Sequence, residues 1–317
     1  MTVVFMFPGQ SSRYPQMFEK LVELDSDNKD VIAKASELLG RDIGKHYQAS
    51  NEEIFACNLD IQVGVFLANQ MFLQMLQKND IQADYSLGLS LGEWNHLVHI
   101  GALSFEDALL AVEERGRAYD AGPRGSMASM FPIPLDELEP VVERAGKLGV
   151  LEIVNLNSPR QHVISGETVA VDEALRLADD ELYIQGVVIE RQVPMHASMF
   201  SSVGERFRAF LEGVDFQTPQ LPYFPNRLGK IVDTPTKEIF VDLLSTHVHK
   251  PVLWRHSIDY ILEKEPDAVM VEVGLKGVLC NLIDRRWHRG LKKFKSDSAD
   301  NTAEHFASVV ETLQALR

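Results

Sequence analysis

The stretch YSLGLSLGEWNHLVHIGAL, residues 85–103, predicts the local structure around which the rest of the fold is arranged. A short strand-like run ends at Leu87, the pentapeptide GLSLG follows at 88–92, and a helix then runs to Gly101. A Gly-x-Ser-x-Gly sequence between a strand and a helix permits a sharp turn, because the glycines relieve crowding and leave the serine hydroxyl exposed. The pattern predicts a nucleophile at Ser90; a serine that merely occupies a tight turn is the alternative.

Strands and helices alternate on both sides of this turn. The β-branched run TVVFMF at 2–7 is followed by longer amphipathic stretches at 15–40 and 62–78. The same pattern resumes near Phe200 and reaches the strand-like run AVMVEVG at 268–274. Alternation of this kind predicts an α/β fold with a mainly parallel sheet.

Residues 126–194 follow a different order of elements. The sequence predicts strands at 126–131, 150–156, 161–165 and 186–192 and helices at 134–147 and 167–178. This β-α-β-β-α-β order is that of the ferredoxin-like fold. We therefore predict a small ferredoxin-like domain at 126–194, inserted into a large α/β domain made of 1–125 and 195–317.

Composition narrows the class of protein. The 317 residues are 45% hydrophobic and 24% charged, which is typical of a globular chain. No apolar run approaches the roughly 18 to 20 residues of a membrane helix, and MTVVFMFPGQ lacks the charged start of a signal peptide. Two cysteines, Cys57 and Cys280, fit a reducing compartment and argue against a zinc site. We expect a cytoplasmic protein with no membrane contact and no metal.

The net charge of -15 argues against nucleic acid as a partner, because phosphate contacts require a basic face. One basic cluster opposes this balance, in DRRWHRGLKKFK at 284–295. Such a cluster is either a binding surface for an acidic partner or a solvated helix end and loop.

A nucleophilic serine needs a base, and His196 is the first candidate among ten histidines. It stands in VPMHASMF at the predicted start of a helix, on an apolar stripe formed by Phe200, Val203, Phe207 and Phe210. A buried core histidine is the alternative. His96 and His99 follow Ser90 on its own predicted helix, where they are either packing or surface residues.

Arg115 is the third unusual residue. It falls on the apolar stripe of a helix predicted to begin at Ser104, with Asp107 in the capping-box position. A buried guanidinium without a partner is costly, so Arg115 should meet a carboxylate. That carboxylate belongs either to an internal salt bridge or to an acidic ligand held by a bidentate clamp.

These motifs together carry a resemblance to a known family. They are FPGQ at 7–10, GLSLGE at 88–93, ERGRAY at 114–119, NLNSPRQHVISG at 155–166, VPMH at 193–196 and EVGLKGVL at 272–279. In order and spacing, over nearly the whole chain, they resemble the malonyl-CoA:acyl carrier protein transacylase family, which includes the acyltransferases of polyketide synthases. The resemblance implies an α/β-hydrolase-like large domain with an inserted ferredoxin-like domain.

The resemblance also implies a reaction. Ser90 would attack a thioester while His196 acts first as general base and then as general acid. The backbone amides of Gln10 and Leu91 would form the oxyanion hole. The thiol of a carrier protein's phosphopantetheine arm would then take the acyl group from the serine, and no metal or bound cofactor is required.

The substrate and partner follow from further matching positions. Arg115 matches the arginine that holds the free carboxylate of malonyl groups, and Gln62 and Asn157 match polar positions that line the site. The donor would be an acyl-CoA or an acyl carrier protein, and the protein would be a monomer. An acidic carrier protein would suit the basic cluster from Arg285 to Lys295. The expected docking residues are Arg285, Arg286, Arg289, Lys292 and Lys293.

The chain departs from the family at positions near the pocket. Leu89 replaces a histidine, Arg13 ends a changed GQGSQ motif, Met195 replaces serine or phenylalanine, and His247 replaces a glutamine. Leu89 and Met195 make the cavity more apolar and adaptable, which favours a larger acyl group. Arg115 and an apolar residue after the serine favour malonyl.

Malonyl is therefore the first expectation for the acyl group. A larger acyl unit moved between two carrier proteins in polyketide biosynthesis is the second. Hydrolysis of acyl carrier proteins by the same Ser-His dyad remains open, because only the exclusion of water separates it from transfer. A non-catalytic carrier-binding module and an ordinary α/β-hydrolase esterase account for fewer of the motifs.

Overall fold

The computed structural model describes residues 1–51, 53–284, 286–298 and 302–316. The chain forms two compact units. The first unit contains Met1–Arg117, Asp215–Tyr223 and Leu262–Arg317, and the second contains Ala118–Val214 and Phe224–Ile261. Among the described residues, no helix combines the length and the apolar character that crossing a membrane requires.

A four-stranded parallel sheet organises the first unit. Its strands lie in the order β2, β1, β7, β8, with bounds β1 (Val3–Phe7), β2 (Tyr85–Gly88), β7 (Val269–Glu272) and β8 (Lys292–Lys295). In this register Phe7 lies opposite Gly88, and Glu272 lies opposite both Met6 and Lys295. All four strands therefore end at one edge, called here the carboxyl edge. The predicted α/β fold with a parallel sheet is confirmed.

Helices surround this sheet. They are α1 (Met17–Leu24), α2 (Asn28–Leu39), α3 (Ile43–His46), α4 (Asn58–Lys78), α5 (Gly92–His99), α6 (Phe105–Asp120), α12 (Val278–Leu282) and α13 (Thr302–Ala315). The amphipathic stretches predicted at 15–40 and 62–78 are thus helical. Helix α4 is buried along most of its length, and the buried side chains include the polar residues Asp60, Gln62 and Asn69.

A buried amide network ties α4 to the loop after β1. Asn69 Nδ2 donates to the carbonyl oxygen of Pro8 and to Asn95 Oδ1, each at 3.0 Å. Asn95 Nδ2 in turn donates to the Phe66 carbonyl oxygen at 3.0 Å. Because buried polar groups are costly without partners, these bonds fix the loop that leads to Gln10.

A four-stranded antiparallel sheet organises the second unit. Its elements are β3 (Ser126–Met130), α7 (Leu135–Ala145), β4 (Leu151–Ser158), β5 (Gln161–Gly166), α8 (Thr168–Leu182) and β6 (Val187–Glu190). The strands lie in the order β4, β5, β3, β6, and the apolar faces of α7 and α8 cover one face of the sheet. This is the ferredoxin-like arrangement that the sequence predicts.

The second unit also holds α9 (Ser201–Leu211), α10 (Lys237–His247) and most of α11 (Trp254–Lys264). Val252 bonds to the edge of β4: its N–H donates to Val154 O at 2.8 Å, and Leu156 N donates to Val252 O at 3.0 Å. These bonds attach the segment at 224–261 to the small sheet, so this compact unit reaches beyond 126–194. The division into 1–125 with 195–317 and 126–194 stays a prediction.

Candidate active site

The turn at Ser90 joins β2 to α5 in a left-handed backbone conformation. Ser90 has φ of +53°, which is sterically unfavourable for a residue with a side chain. The turn is held on both sides, since Leu89 N donates to Phe7 O at 3.0 Å and Glu93 N donates to Ser90 O at 3.1 Å. The predicted strand-turn-helix arrangement around Ser90 is therefore confirmed.

The glycines of the pentapeptide are required by close approach of the backbone. A Cβ atom on Gly92 would lie 2.0 Å from the carbonyl oxygen of Phe7. A Cβ atom on Gly88 would lie 2.1 Å from the carbonyl carbon of Gly92. Neither space can hold a methyl group. Glycine is therefore required at position 92 where the turn packs against β1, and at position 88 where the backbone of the turn folds back on itself.

Gln10 and Leu91 lie on two neighbouring loops at the carboxyl edge. These loops follow Phe7 and Gly88, which are paired in the sheet. A Cβ on Gly9 would lie 2.9 Å from Leu89 O, so the two loops are in contact. Within the described chain, neither the Gln10 N–H nor the Leu91 N–H donates a hydrogen bond. Two such donors beside a serine turn are what an oxyanion hole requires.

Arg115 contacts both Ser90 and Gln62 in the first unit. The Arg115 guanidinium, 1% exposed, donates through Nη1 to Gln62 Oε1 at 2.6 Å and through Nη2 to Ser90 Oγ at 3.3 Å. Helices α4 and α6 approach closely here, since a Cβ on Gly116 would lie 2.5 Å from the Leu59 Cα. The buried position predicted for Arg115 is confirmed.

Gln62 is completely buried and keeps one donor group free. Its Nε2 has no hydrogen-bond partner among the residues that the structure describes. Arginine N–H groups and an amide NH2 are all donors, and carboxylates are their natural acceptors. This arrangement can receive an acceptor-rich group beside the Ser90 hydroxyl.

His96 and His99 are packing residues on the helix that follows Ser90. The Ser86 hydroxyl hydrogen-bonds to Nδ1 of His96 at 2.7 Å and to Nδ1 of His99 at 2.9 Å. Burial lowers the pKa of His96 to about 3, with His99 adding to the effect, and lowers that of His99 to about 4. Both rings are neutral near pH 7, and they connect α5 to β2.

The backbone conformation of His196, in the second unit, differs from the one predicted. It is buried as predicted, with 2% exposure, but it precedes a short 3-10 turn at Ser198–Phe200, and α9 begins only at Ser201. The prediction that His196 starts a helix is therefore wrong. Its φ of +65° lies outside helical values, and its N–H donates to Val248 O at 3.0 Å.

The ring of His196 is held by His247. His196 Nδ1 lies 2.6 Å from the His247 carbonyl oxygen, and the two rings stack at a centroid distance of 4.9 Å and an angle of 26°. Because a carbonyl oxygen can only accept, Nδ1 carries the proton in this contact. In the neutral ring, Nε2 is then the basic nitrogen, which is the tautomer a general base needs.

The remaining predicted pocket residues are buried in their respective units. Leu89 in the first unit and Met195 in the second are both largely inaccessible to solvent. Asn157 lies at the end of β4, and its Oδ1 has no hydrogen-bond partner in the described part of the chain. His247 is the last residue of α10 and is also buried.

The predicted basic cluster is spread along β8 and the loop before it. Arg285 lies outside the described residues, whereas Arg286, Arg289 and Lys292 are exposed. Lys293 differs, because its Nζ donates to the carbonyl oxygens of Cys280 and Ile283 at the end of α12. The ammonium group of Lys293 is thus engaged within the fold.

A buried Glu93–Tyr223 pair was not predicted from the sequence. Glu93 is in the first turn of α5, and its Oε1 accepts a hydrogen bond from the Tyr223 hydroxyl at 2.7 Å. Burial and the nearby carboxylate raise the pKa of Tyr223 well above its usual value. The only sequence signal was an acidic residue directly after the glycine of the turn. Among the described residues, no cluster of His, Cys, Asp and Glu side chains is arranged to hold a metal ion.

Comparison with known proteins identifies the family. Residues 4–305 match the acyl transferase domain family. The malonyl CoA-acyl carrier protein transacylase of Bacillus subtilis is 27% identical over 295 residues, 92% of each chain. BaeC of Bacillus velezensis, a polyketide biosynthesis malonyl CoA-acyl carrier protein transacylase, is 27% identical over 89% of this chain and 96% of its own.

Solved structures agree with the sequence comparison. FabD from Acinetobacter baumannii has a TM-score of 0.90 at 26% identity, covering 100% of this chain and 99% of that one. PlMCAT, a malonyl-transacylase in complex with the type II PKS acyl-carrier protein AntF, has a TM-score of 0.89 at 25% identity, covering 98% of this chain and 100% of that one. The chain therefore belongs to the acyl transferase domain family and is an acyltransferase.

Proposed function

We propose that this acyltransferase moves a malonyl group from a thioester to the phosphopantetheine thiol of an acyl carrier protein, through an ester on Ser90. The contact that carries the proposal is the one between Arg115 Nη2 and Ser90 Oγ at 3.3 Å. It sets a buried cation beside the candidate nucleophile, where a short acyl chain ending in a carboxylate would need one. The names of the relatives support the same acyl group and acceptor.

In the proposed reaction, Ser90 Oγ attacks the carbonyl carbon of the donor thioester while His196 Nε2 accepts the hydroxyl proton. The N–H groups of Gln10 and Leu91 stabilise the negative charge that develops on the carbonyl oxygen. The C–S bond then breaks, and the donor thiolate takes the proton from His196. Transfer to the carrier repeats these steps in reverse, with the carrier's thiol as the attacking group.

Arg115 would select the acyl group. Its guanidinium is already oriented by Gln62 Oε1, so little side-chain freedom is lost when a carboxylate binds. Gln62 Nε2 supplies a further donor in the same place. A malonyl group has its free carboxylate close to the thioester carbonyl, which suits a clamp located next to the serine hydroxyl.

A larger acyl unit, moved between two carrier proteins, is the alternative substrate. Leu89 and Met195 support it, because both are buried apolar residues and methionine adapts its shape readily. The donor is then a carrier protein rather than CoA. Hydrolysis by the same acyl-enzyme is a second alternative. A clamp that fixes the acyl group favours transfer, because the acyl group and the carrier's thiol are then both held in position for reaction.

The acyl carrier protein is the proposed acceptor. The complex of PlMCAT with AntF supports this choice, since it joins a malonyl-transacylase of similar fold to its carrier. The steps above use side chains and backbone amides alone and involve no metal or bound cofactor. A monomeric state and a cytoplasmic location stay predictions from the sequence.

Intact-protein mass spectrometry tests the proposal. The protein is exposed briefly to malonyl-CoA and then to a holo acyl carrier protein, with Ser90→Ala as the control. A malonyl increment that is lost in the variant and moves to the carrier is the expected result. Release of free malonate without carrier labelling would favour the hydrolase. If malonyl-CoA gives no increment but a carrier protein loaded with a larger acyl group does label the enzyme, the alternative substrate is favoured.

A further inference from the structure

Cationic side chains surround the Tyr14 ring in the first unit. Lys20 Nζ lies 5.4 Å and Lys276 Nζ 6.0 Å from the ring centroid. Arg13 is the neighbouring residue, and burial together with the positive charge of Arg13 lowers the pKa of Lys276. Like charges are thus held close together, which costs free energy unless an anion is bound nearby.

Lys295 extends this group of cations. It is the last residue of β8, and a Cβ on Gly277 would lie 2.5 Å from the Lys295 Cδ. The Lys295 side chain therefore runs over the loop that carries Lys276. We call Arg13, Lys20, Lys276 and Lys295 the Tyr14 cation cluster.

The Tyr14 cation cluster lies at the carboxyl edge of the parallel sheet. Arg13 follows β1, Lys276 follows β7 and Lys295 ends β8. Ser90 follows β2 at the same edge. Three interstrand spacings separate β2 from β8, a distance of about 14 Å. A protein bound to this cluster would lie beside the nucleophile.

The carboxylate of Asp297 contacts the cluster. Asp297, 1% exposed, accepts hydrogen bonds from the Tyr14 hydroxyl at 3.1 Å, from Lys20 Nζ at 3.2 Å and from the backbone N–H of Lys276 at 2.9 Å. It therefore offsets the charge of Lys20, and its negative charge also acts to raise the pKa of Lys276 against the effects of burial and Arg13. Neither Lys276 nor Lys295 forms an ion pair in the part of the chain that the structure describes.

Apart from Lys295, the cations of the run predicted to dock a carrier have a different location. Lys292 begins β8, which runs parallel to β7, so Lys292 lies at the opposite edge of the sheet from Lys295. The separation along the strand is about 10 Å. Arg289 precedes Lys292 and does not belong to the carboxyl edge.

We propose that the Tyr14 cation cluster is the surface on which an acidic acyl carrier protein docks, with the exposed Lys276 and the half-buried Lys295 as its contacts. This inference rests on the proposed function for the choice of partner. The chain has a net charge of -15, so it would repel an acidic protein except through a local basic surface. The cluster offers such a surface at the edge where the arm of the carrier must deliver its thiol.

Charge reversal at the two ends of β8 and in the adjoining loops provides the test. Lys295→Glu and Lys276→Glu are compared with Lys292→Glu and Arg289→Glu, which make the same change in charge at the other end of the strand. The donor is malonyl N-acetylcysteamine thioester, which has no phosphate. The acceptors are a holo acyl carrier protein of bacterial fatty acid synthesis and free pantetheine. The measured quantity is the ratio of kcat/KM for the carrier to kcat/KM for pantetheine.

The double variant Lys276→Glu/Lys295→Glu should lower this ratio by about tenfold or more and weaken its dependence on salt. The pair Lys292→Glu/Arg289→Glu should change it by less than about twofold. The neutral variant Lys276→Gln/Lys295→Gln should cause a smaller loss in the same direction, which guards against misfolding of the reversed variant. An unchanged ratio in both the reversed and the neutral cluster variants would overturn the proposal, as would a larger effect of the pair at the other edge.

Failure of the proposed function would be recognised separately. If mass spectrometry detects no acyl ester on Ser90, the proposed reaction is contradicted. Docking is then measured by fluorescence anisotropy of the labelled holo carrier. Binding that is lost with Lys276→Glu/Lys295→Glu supports the surface, and binding that is equal in all variants contradicts it.

Discussion

The carbonyl oxygen of His247 lies 2.6 Å from Nδ1 of His196, and the imidazole ring of His247 stacks on the same histidine. One residue thus holds the other in two ways. His247 is the last residue of α10, where carbonyl groups lack partners within the helix and are free to accept. The carbonyl fixes the tautomer of His196, whereas the stacked ring restricts its plane.

Substitutions at His247 separate these two contributions, because every variant keeps the carbonyl. His247→Phe retains a ring for stacking and should keep the rate of Ser90 acylation within about twofold. His247→Ala removes the ring and should lower that rate about three- to tenfold, with little change in KM. Rapid-quench measurement of acyl-enzyme formation gives both values. Equal rates in the two variants would show that the ring has no positioning role.

The strained backbone at Ser90 predicts a difference in stability between two variants. Both Ser90→Gly and Ser90→Ala lack the hydroxyl that the proposed reaction requires. Glycine adopts a φ of +53° without a Cβ clash, whereas alanine keeps the strain. Ser90→Gly should therefore unfold with a free energy about 1 kcal/mol higher than Ser90→Ala, as measured by urea denaturation. A less stable glycine variant would mean that the turn is not strained.

Gly92→Ala should destabilise the protein severely. The added methyl group would overlap the carbonyl oxygen of Phe7, which is part of β1 and cannot move without disturbing the sheet. We expect a loss of about 3 kcal/mol or more in the free energy of unfolding. Gly44→Ala is the matched control, since its Cβ would lie at an ordinary 3.4 Å from the Ile32 side chain. A loss of equal size in the control would contradict the steric explanation.

Local patterns in the sequence predicted much of the fold. The turn at Ser90 and the four strands and two helices of the ferredoxin-like arrangement follow from local sequence patterns, and both were predicted correctly. Arg115 was predicted to be buried because helical periodicity is also a local property. The cap at the start of its helix is present, since Asp107 N donates to Ser104 Oγ at 3.0 Å.

Other features depend on contacts distant in sequence, and the sequence pattern did not reveal them. His196 leaves helical geometry because its N–H and ring bond to Val248 and His247, about fifty residues away. The attachment of Val252 to β4 is likewise a long-range pairing. The sequence predicts one basic cluster at 284–295, but the direction of β8 divides its residues between two edges of the sheet.

The histidines behind the serine turn predict that the protein loses stability in acid. His96 and His99 have folded-state pKa values of about 3 and about 4, below the ordinary value of 6.5. The unfolded chain therefore binds protons that the folded chain does not, starting below about pH 6.5. Their stabilising contribution is complete above that pH and decreases as the pH falls toward 4.

Urea denaturation at about pH 7 and about pH 5 measures this effect. Each histidine should contribute a loss of roughly 1 to 2 kcal/mol over that interval. His99→Phe removes one of the two groups while preserving a ring against Phe5, so its loss should be smaller than that of the unaltered protein. An identical pH dependence in the variant would exclude His99 as a source.

We expect Arg115 to determine which acyl group the enzyme prefers, more than how fast it reacts with every donor. Arg115→Ala removes the guanidinium and should lower the second-order rate constant for acylation by the malonyl thioester about ten- to a hundredfold, because a bidentate charged contact is lost. The acetyl thioester, which has no carboxylate, should lose much less. Gln62→Leu leaves the cation but removes the oxygen that orients Nη1, so an intermediate loss is expected.

The ratio of malonyl to acetyl N-acetylcysteamine thioester turnover measures this selectivity directly, because both donors share the same leaving group. If Arg115→Ala reduces both donors equally, the arginine supports the site through its bond to Ser90 Oγ and does not bind the carboxylate. Arg115→Lys discriminates further, since a lysine retains the charge but not the planar fork of donors. A partial recovery of the ratio in that variant would assign part of the selectivity to charge and the remainder to geometry.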